Sequence, residues 1–209
     1  KYVSFFTDDN IVYREVGLNY NGFNSLEDLF NINDACCLSL RLGKNTVTRD
    51  YGDGVLRPDN VPPLAWSDPY LLWNRTSIPP GGYWSYPLSV DGHIFKKQDM
   101  MRFCKELSIL NKTLSFKQTP NEFEGKLQRF WFDIPPVMAS LEYSCVVNSP
   151  NNRVQNHMQN WHGREFSYSP IKLNNMFRRG CRLDMEDIDF SDISCPHQEI
   201  DITKGLECY

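Results

Sequence analysis

Short apolar and polar alternations dominate the first third of the chain. Tyr2 to Phe6 and Ile11 to Val16 are β-branched and aromatic runs, which predict two short strands. Asn24 to Phe30 predicts a short helix, with Asn24 or Ser25 as its cap and acidic residues in its first turn. From Cys37 to Leu42, Leu38, Leu40 and Leu42 alternate with Ser39 and Arg41, the pattern of a half-buried strand. Gly43-Lys44-Asn45 then reads as a turn before Thr46-Val47-Thr48.

Residues 50–92 are broken by Asp53-Gly54, Pro62-Pro63, Asp68-Pro69, Pro79-Pro80-Gly81-Gly82 and Asp91-Gly92, so long ordered loops are expected there. Short strands are expected from Trp84 to Val90 and from His93 to Phe95. The clearest helix runs from Lys97 to Leu110, where Met100, Met101, Cys104 and Leu107 recur at helical spacing. Beyond it, strands are predicted at Thr113 to Lys117, Lys126 to Ile134, Val137 or Met138 to Val147, and Arg164 to Tyr168. Asn151 to Asn160 is polar and reads as loop or short helix. The succession predicts an α+β, β-leaning fold: an antiparallel sheet with one or two packed helices and long ordered loops. Residues 1–209 are expected to form a single domain, with sub-boundaries near 92–97 or 148–152 as the alternatives.

Composition narrows the class. The chain has 209 residues, 41% apolar and 13% aromatic, which argues against disorder. A net charge of −4 lowers the expectation of a nucleic-acid binder. No apolar run is long enough to span a bilayer, so any membrane tether would lie outside these residues. The chain opens at Lys1 without Met and is read as a mature product or an excised piece of something longer.

The seven cysteines, Cys36, Cys37, Cys104, Cys145, Cys181, Cys195 and Cys208, are dispersed and contain no C-x-x-C pair. Dispersed single cysteines suit long-range disulfides, and the odd number leaves at least one thiol over. The adjacent Cys36 and Cys37 are expected to point to opposite faces of a strand. Asn74-Arg75-Thr76 and Asn111-Lys112-Thr113 are N-glycosylation triplets, although a chain this rich in Asn produces such triplets by chance.

Four groups of residues are candidates for chemistry. Trp66, Tyr70, Trp73, Tyr83, Trp84 and Tyr86 crowd six rings into a Pro/Gly-rich stretch, a composition suited to contact with a partner or to stacking on sugars or bases. The same rings could instead pin the loop to the body, with Trp66 and Trp73 facing inward. His157, His162, Cys181, Cys195 and His197 are zinc-type ligands at the wrong spacings, so no metal is expected. The acidic run Asp184, Glu186, Asp187, Asp189, Asp192 lacks the order of a calcium loop and reads as a solvated face. Arg164, Arg178, Arg179 and Arg182 could grip phosphate, but pairing with that acidic run is the simpler expectation.

No catalytic motif is present, no catalytic residue is assigned, and no cofactor is expected. A disulfide-stabilised extracellular module, the ectodomain of a receptor, channel subunit or viral glycoprotein that engages a protein partner, accounts for most of these features. Two alternatives stay open. One is a hydrolase assembled around His93 or His162. The other is an intracellular nucleic-acid binder that uses the Arg178–Arg182 patch.

Overall fold

The computed structural model describes residues 1–17, 22–51, 55–110, 120–150 and 165–208, without the side chains of 22–25, 110 and 120. In chain order the elements are β1 (Tyr2–Ser4), β2 (Asn10–Val12), α1 (Gly22–Asn31), β3 (Ala35–Ser39), β4 (Thr48–Asp50), β5 (Leu56–Pro58), β6 (Ala65–Ser67), β7 (Tyr70–Asn74), β8 (His93–Lys96), α2 (Lys97–Leu110), α3 (Pro120–Leu127), β9 (Val137–Leu141), β10 (Val146–Asn148), α4 (Pro170–Arg178), β11 (Arg182–Leu183) and β12 (Leu206–Glu207). The fold is mixed α+β around a mostly antiparallel sheet, as the sequence pattern predicts.

That sheet runs β1-β8-β3-β9-β7-β6, and every neighbouring pair is antiparallel except β3 with β9. Strand periodicity sends alternate side chains to opposite faces. Val3, Phe95, Met138 and Trp73 face one side, where Met100, Phe103 and Leu107 of α2 and Leu127 of α3 cover them. Tyr2, Ile94, Leu38, Ala139, Leu72 and Tyr70 face the other, under Leu26, Leu29 and Phe30 of α1. The sheet is therefore the middle of three layers. A third cluster joins Val147 of β10 to Ile188, Ile193 and Ile200, which holds the C-terminal segment against β2 and β10.

Local chemistry decides where several expectations stop. β3 begins two residues earlier than predicted and ends at Ser39, because the Ser39 hydroxyl accepts the backbone N–H groups of Arg41 (3.3 Å) and Leu42 (3.2 Å) and turns the chain. Leu40 and Leu42 consequently enter different clusters rather than sharing a face. Lys126 to Ile134 is not a strand: α3 continues into a 3-10 turn over Gln128–Phe130. Leu127, Phe130 and Ile134 are spaced three and four apart and all reach the α2-side core, which is helical periodicity. Residues 84–90 form turns rather than a strand, with the Ser85 hydroxyl bonded back to the Gly82 carbonyl. The stretch 137–147 divides into β9 and β10, and residues 165–168 form no strand. The predicted strand at 113–117, the whole 151–160 segment and Arg164 lie outside the described residues. The helix over Lys97–Leu110 matches its predicted limits.

Candidate functional site

A cleft of about 430 Å³ opens where seven separate stretches of chain converge. They are Thr7 and Asp9 before β2, Arg41 after β3, Arg49 and Asp50 of β4, the 81–91 segment, Asn121 to Gly125 of α3, Asn148, and His197. The volume lies in the range of small-molecule sites.

Arg41 is the hub. Its side chain is almost wholly buried, and its Nη1 pairs with Asp91 Oδ2. Nη2 donates to Ser89 Oγ at 3.2 Å, and the guanidinium lies 6.0 Å from the Tyr83 ring centre. Gly92 makes this placement feasible. It holds φ at +69°, and a Cβ there would stand 3.2 Å from Arg41 Cγ. Asp91 Oδ1 also accepts from Thr7 Oγ1 (3.1 Å) and Asn10 Nδ2. Burial alone would raise the Asp91 pKa, but the Arg41 charge and these hydrogen bonds hold it below the ordinary carboxylate value.

Two buried polar atoms in this wall have no partner among the described residues: Arg41 Nε, a donor, and Asn148 Oδ1, an acceptor. Asn148 is itself 4% exposed and spends its amide on Asp9 Oδ1 (2.8 Å) and Thr7 Oγ1 (3.2 Å). Leaving a buried polar atom unpaired costs about 1–3 kcal/mol, and both of these atoms are closed off from solvent behind the surface of the cleft.

Glu124, His197, Tyr83 and Tyr86 are also tuned away from their ordinary values. Glu124 accepts the Val90 N–H at 3.1 Å. Burial raises its pKa and the Asp91 charge adds to that, against the pull of Ser89 and Arg41. His197 is pushed down by burial and then by Arg41, opposed by Asp91, Asp9 and Asp50, so its ring is held neutral. Burial raises the Tyr83 and Tyr86 pKa values far above neutrality, which keeps both hydroxyls protonated. The lining holds four carboxylates (Asp9, Asp50, Asp91, Glu124) and two arginines (Arg41, Arg49), a formal 2 − 4 = −2 when all are ionised. With Glu124 protonated the surplus falls to one. Such a lining repels anions and offers paired donors and acceptors beside two phenol rings. Among the described residues no group of three or more His, Cys, Asp or Glu side chains is placed to hold a metal.

The aromatic cluster divides. Tyr70, Trp73 and Trp84 are buried in the core. The Trp73 and Trp84 rings meet edge to face at 4.8 Å, and Trp73 Nε1 donates to the Trp84 carbonyl at 2.8 Å. Tyr83 and Tyr86 line the cleft. Trp66, expected to face inward, is 54% exposed on edge strand β6, with Lys44 Nζ 5.6 Å from its ring centre. His93 is wholly buried on β8, where its ring nitrogen bonds the Pro87 carbonyl at 3.2 Å, so it does not reach the cleft. His157, His162 and Asn111 lie outside the described residues. Asn74 is exposed, and its side chain caps the turn that follows β7.

One disulfide is present among the described residues, between Cys181 and Cys208, and it ties β11 to the end of the chain. Cys36, Cys37, Cys104, Cys145 and Cys195 are free thiols. The sheet separates Cys37 from Cys145. Cys37 packs on the α2 side of the sheet, Cys145 on the α1 side, and Cys195 lies behind the cleft with its thiol against the Tyr83 hydroxyl. The arginine patch does not pair with the acidic run in the described ion pairs. Arg182 instead donates to the Phe177 and Cys181 carbonyls, while Asp184 and Asp189 accept the backbone N–H two residues on.

Sequence reasoning did not assemble Arg41, Asp91, Glu124, Asn148 and His197, which span 157 positions and form no motif. Arg41 follows the last strand residue and Asp91 sits in a predicted turn, so both carried a structural explanation. The available signal was a single Arg in an otherwise apolar and small stretch, Leu38 to Leu42. No protein-family model, curated protein or solved structure matches the chain.

Proposed function

We propose that this protein is a binding module whose cleft receives a small, uncharged, hydroxyl-rich ligand of the saccharide class. The observation that carries the reading is the lining of the cleft, where carboxylate, amide and guanidinium groups stand beside the rings of Tyr83 and Tyr86. A hydroxyl both donates and accepts, so it can pair with either kind of group in this lining. Neighbouring Asp, Asn and Arg side chains suit adjacent hydroxyls, and Tyr83 and Tyr86 offer rings to a sugar's apolar edge. The surplus of carboxylates favours a neutral ligand over an anionic one. Calorimetric titration against mono- and disaccharides tests this. At least one sugar should bind with millimolar affinity or better, and Tyr86→Ala should weaken it about tenfold, through the lost ring face. A full panel without heat or thermal stabilisation refutes it.

A hydrolytic reading is favoured by one observation. Glu124 and Asp91 are carboxylates in the same cleft with pKa values pushed in opposite directions, the arrangement that separates a proton donor from an ionised partner. Turnover of a bound sugar that is lost in Glu124→Gln, with binding retained, would establish it. For the extracellular protein-binding reading, the Cys181–Cys208 disulfide supports a secretory route, while five free thiols weigh against it. A protein partner, if engaged through the aromatic stretch, would meet exposed Trp66 rather than core Trp73 or Trp84.

A further inference from the structure

We propose that Cys36 and Cys37, with the thioether of Met138, form a binding site for one soft monovalent metal ion of the copper(I) class. The register of β3 against β9 slips between Ala35 and Cys37. A bulge of this kind adds a residue that need not alternate. Cys36 and Cys37 accordingly do not diverge: both pack against the α2-side cluster, and their Sγ atoms lie 4.0 Å apart. An ion about 2.3 Å from each sulfur would span that gap at an S–M–S angle of roughly 120°. Thiolate and thioether sulfurs are the donors that select copper(I). Met138 is the register partner of Cys37 on β9, is fully buried, and belongs to the same cluster.

Charge supplies a second, independent observation. Arg75 is 2% exposed and pairs with no carboxylate in the described ion pairs. Its Nε and Nη2 donate to the carbonyls of Pro135, Trp131 and Ile134. Its Nη1 has no partner. A buried guanidinium without a counter-ion is costly. Arg75 follows Asn74 of β7, which pairs with Val137 as Ala35 does from the other side, so the Arg75 charge enters at the same end of the sheet as Cys36 and Cys37. On binding, two thiols release two protons to solvent and one M⁺ enters, giving a dithiolate complex of charge −1. Arg75 then neutralises it. The partly exposed Cys36 provides the entry side.

The test uses Ag⁺, a redox-inert soft ion, with fully folded protein. Native mass spectrometry is run in excess free monothiol, followed by alkylation and peptide mapping. Wild type and Cys104→Ser should each retain one Ag⁺, and the bound ion should protect Cys36 from alkylation. Cys36→Ser should bind on the order of 100-fold more weakly, having lost one of two thiolates, and Met138→Leu about tenfold more weakly. An ion held equally well by Cys36→Ser, or none held by wild type, overturns the site. Wild-type affinity in Met138→Leu overturns the thioether's part in it. Because Cys36 is the partly exposed member of the pair, its substitution spares the core, and protection in wild type gives a reading that needs no variant.

Discussion

Lowering the pH from 7 to 5 should destabilise this fold through His93. The ring is wholly buried on β8. Burial, then the Arg41 charge, depresses its pKa from 6.5 to about 3, against the pull of the Pro87 carbonyl and Asp91. The unfolded chain therefore binds a proton first. Stability is complete above pH 6.5, the unfolded value, and is lost as the pH falls toward 3. Each unit below the unfolded value removes about 1.4 kcal/mol, so pH 5 removes about 2 kcal/mol. That is a large share of the roughly 5–15 kcal/mol that holds a domain together. His197 is depressed too and acts in the same direction. Glu124, whose pKa is raised, acts oppositely as the pH approaches the carboxylate range. Asp91 is depressed, so its contribution is lost only at still lower pH, through its folded value. Urea unfolding at pH 7 and 5, for wild type and His93→Gln, separates these effects. The wild type should lose about 2 kcal/mol more than the variant over this range. Equal losses in the two proteins would refute the placement of a neutral, buried His93.

Four further outcomes follow from individual contacts. Trp84→Ala removes a 1%-exposed ring whose Nε1 donates to the Thr46 carbonyl, and it should cost about 3–5 kcal/mol in chemical unfolding. Trp66→Ala should stay within about 0.5 kcal/mol of wild type, as expected of a surface position. Gly92→Ala puts a Cβ 3.2 Å from Arg41 Cγ at φ +69°. It should cost at least about 1–2 kcal/mol in the same assay and displace Arg41. Cys181→Ser opens a disulfide across 27 positions, worth roughly 3–4 kcal/mol by chain entropy, and proteolysis should then begin in the C-terminal segment.

The elements legible in the sequence were those fixed by their own residues. α2 carries its apolar stripe within one segment, and the Asp91-Gly92 turn carries its glycine. Misreadings arose where an aromatic-rich segment was judged by residue type before spacing. Phe130, Trp131 and Phe132 suggested a strand, although Leu127, Phe130 and Ile134 repeat as a helix does. The inward alternation of Leu38, Leu40 and Leu42 stopped short because a single hydroxyl, on Ser39, turned the chain. The cleft was illegible for a different reason. Arg41 meets Asp91 across 50 positions and Asn148 meets Asp9 across 139, so only the sheet order brings them together. His197 drew notice as a zinc ligand beside Cys195, whereas it is the tertiary structure that sets it against Asn148. The shared side of Cys36 and Cys37 depends on a bulge that no local signal announces.

The central claim is that the cleft around Arg41 receives a hydroxyl-rich ligand. Its most direct measurement is the Arg41 Nε–H resonance in a ¹H–¹⁵N correlation spectrum, followed through a titration with the tightest-binding saccharide. The resonance should move to a saturable end point with the sugar, and should stay put with a sugar that calorimetry finds not to bind. A resonance that never moves while the sugar binds, or a protein that binds no sugar, would contradict the account.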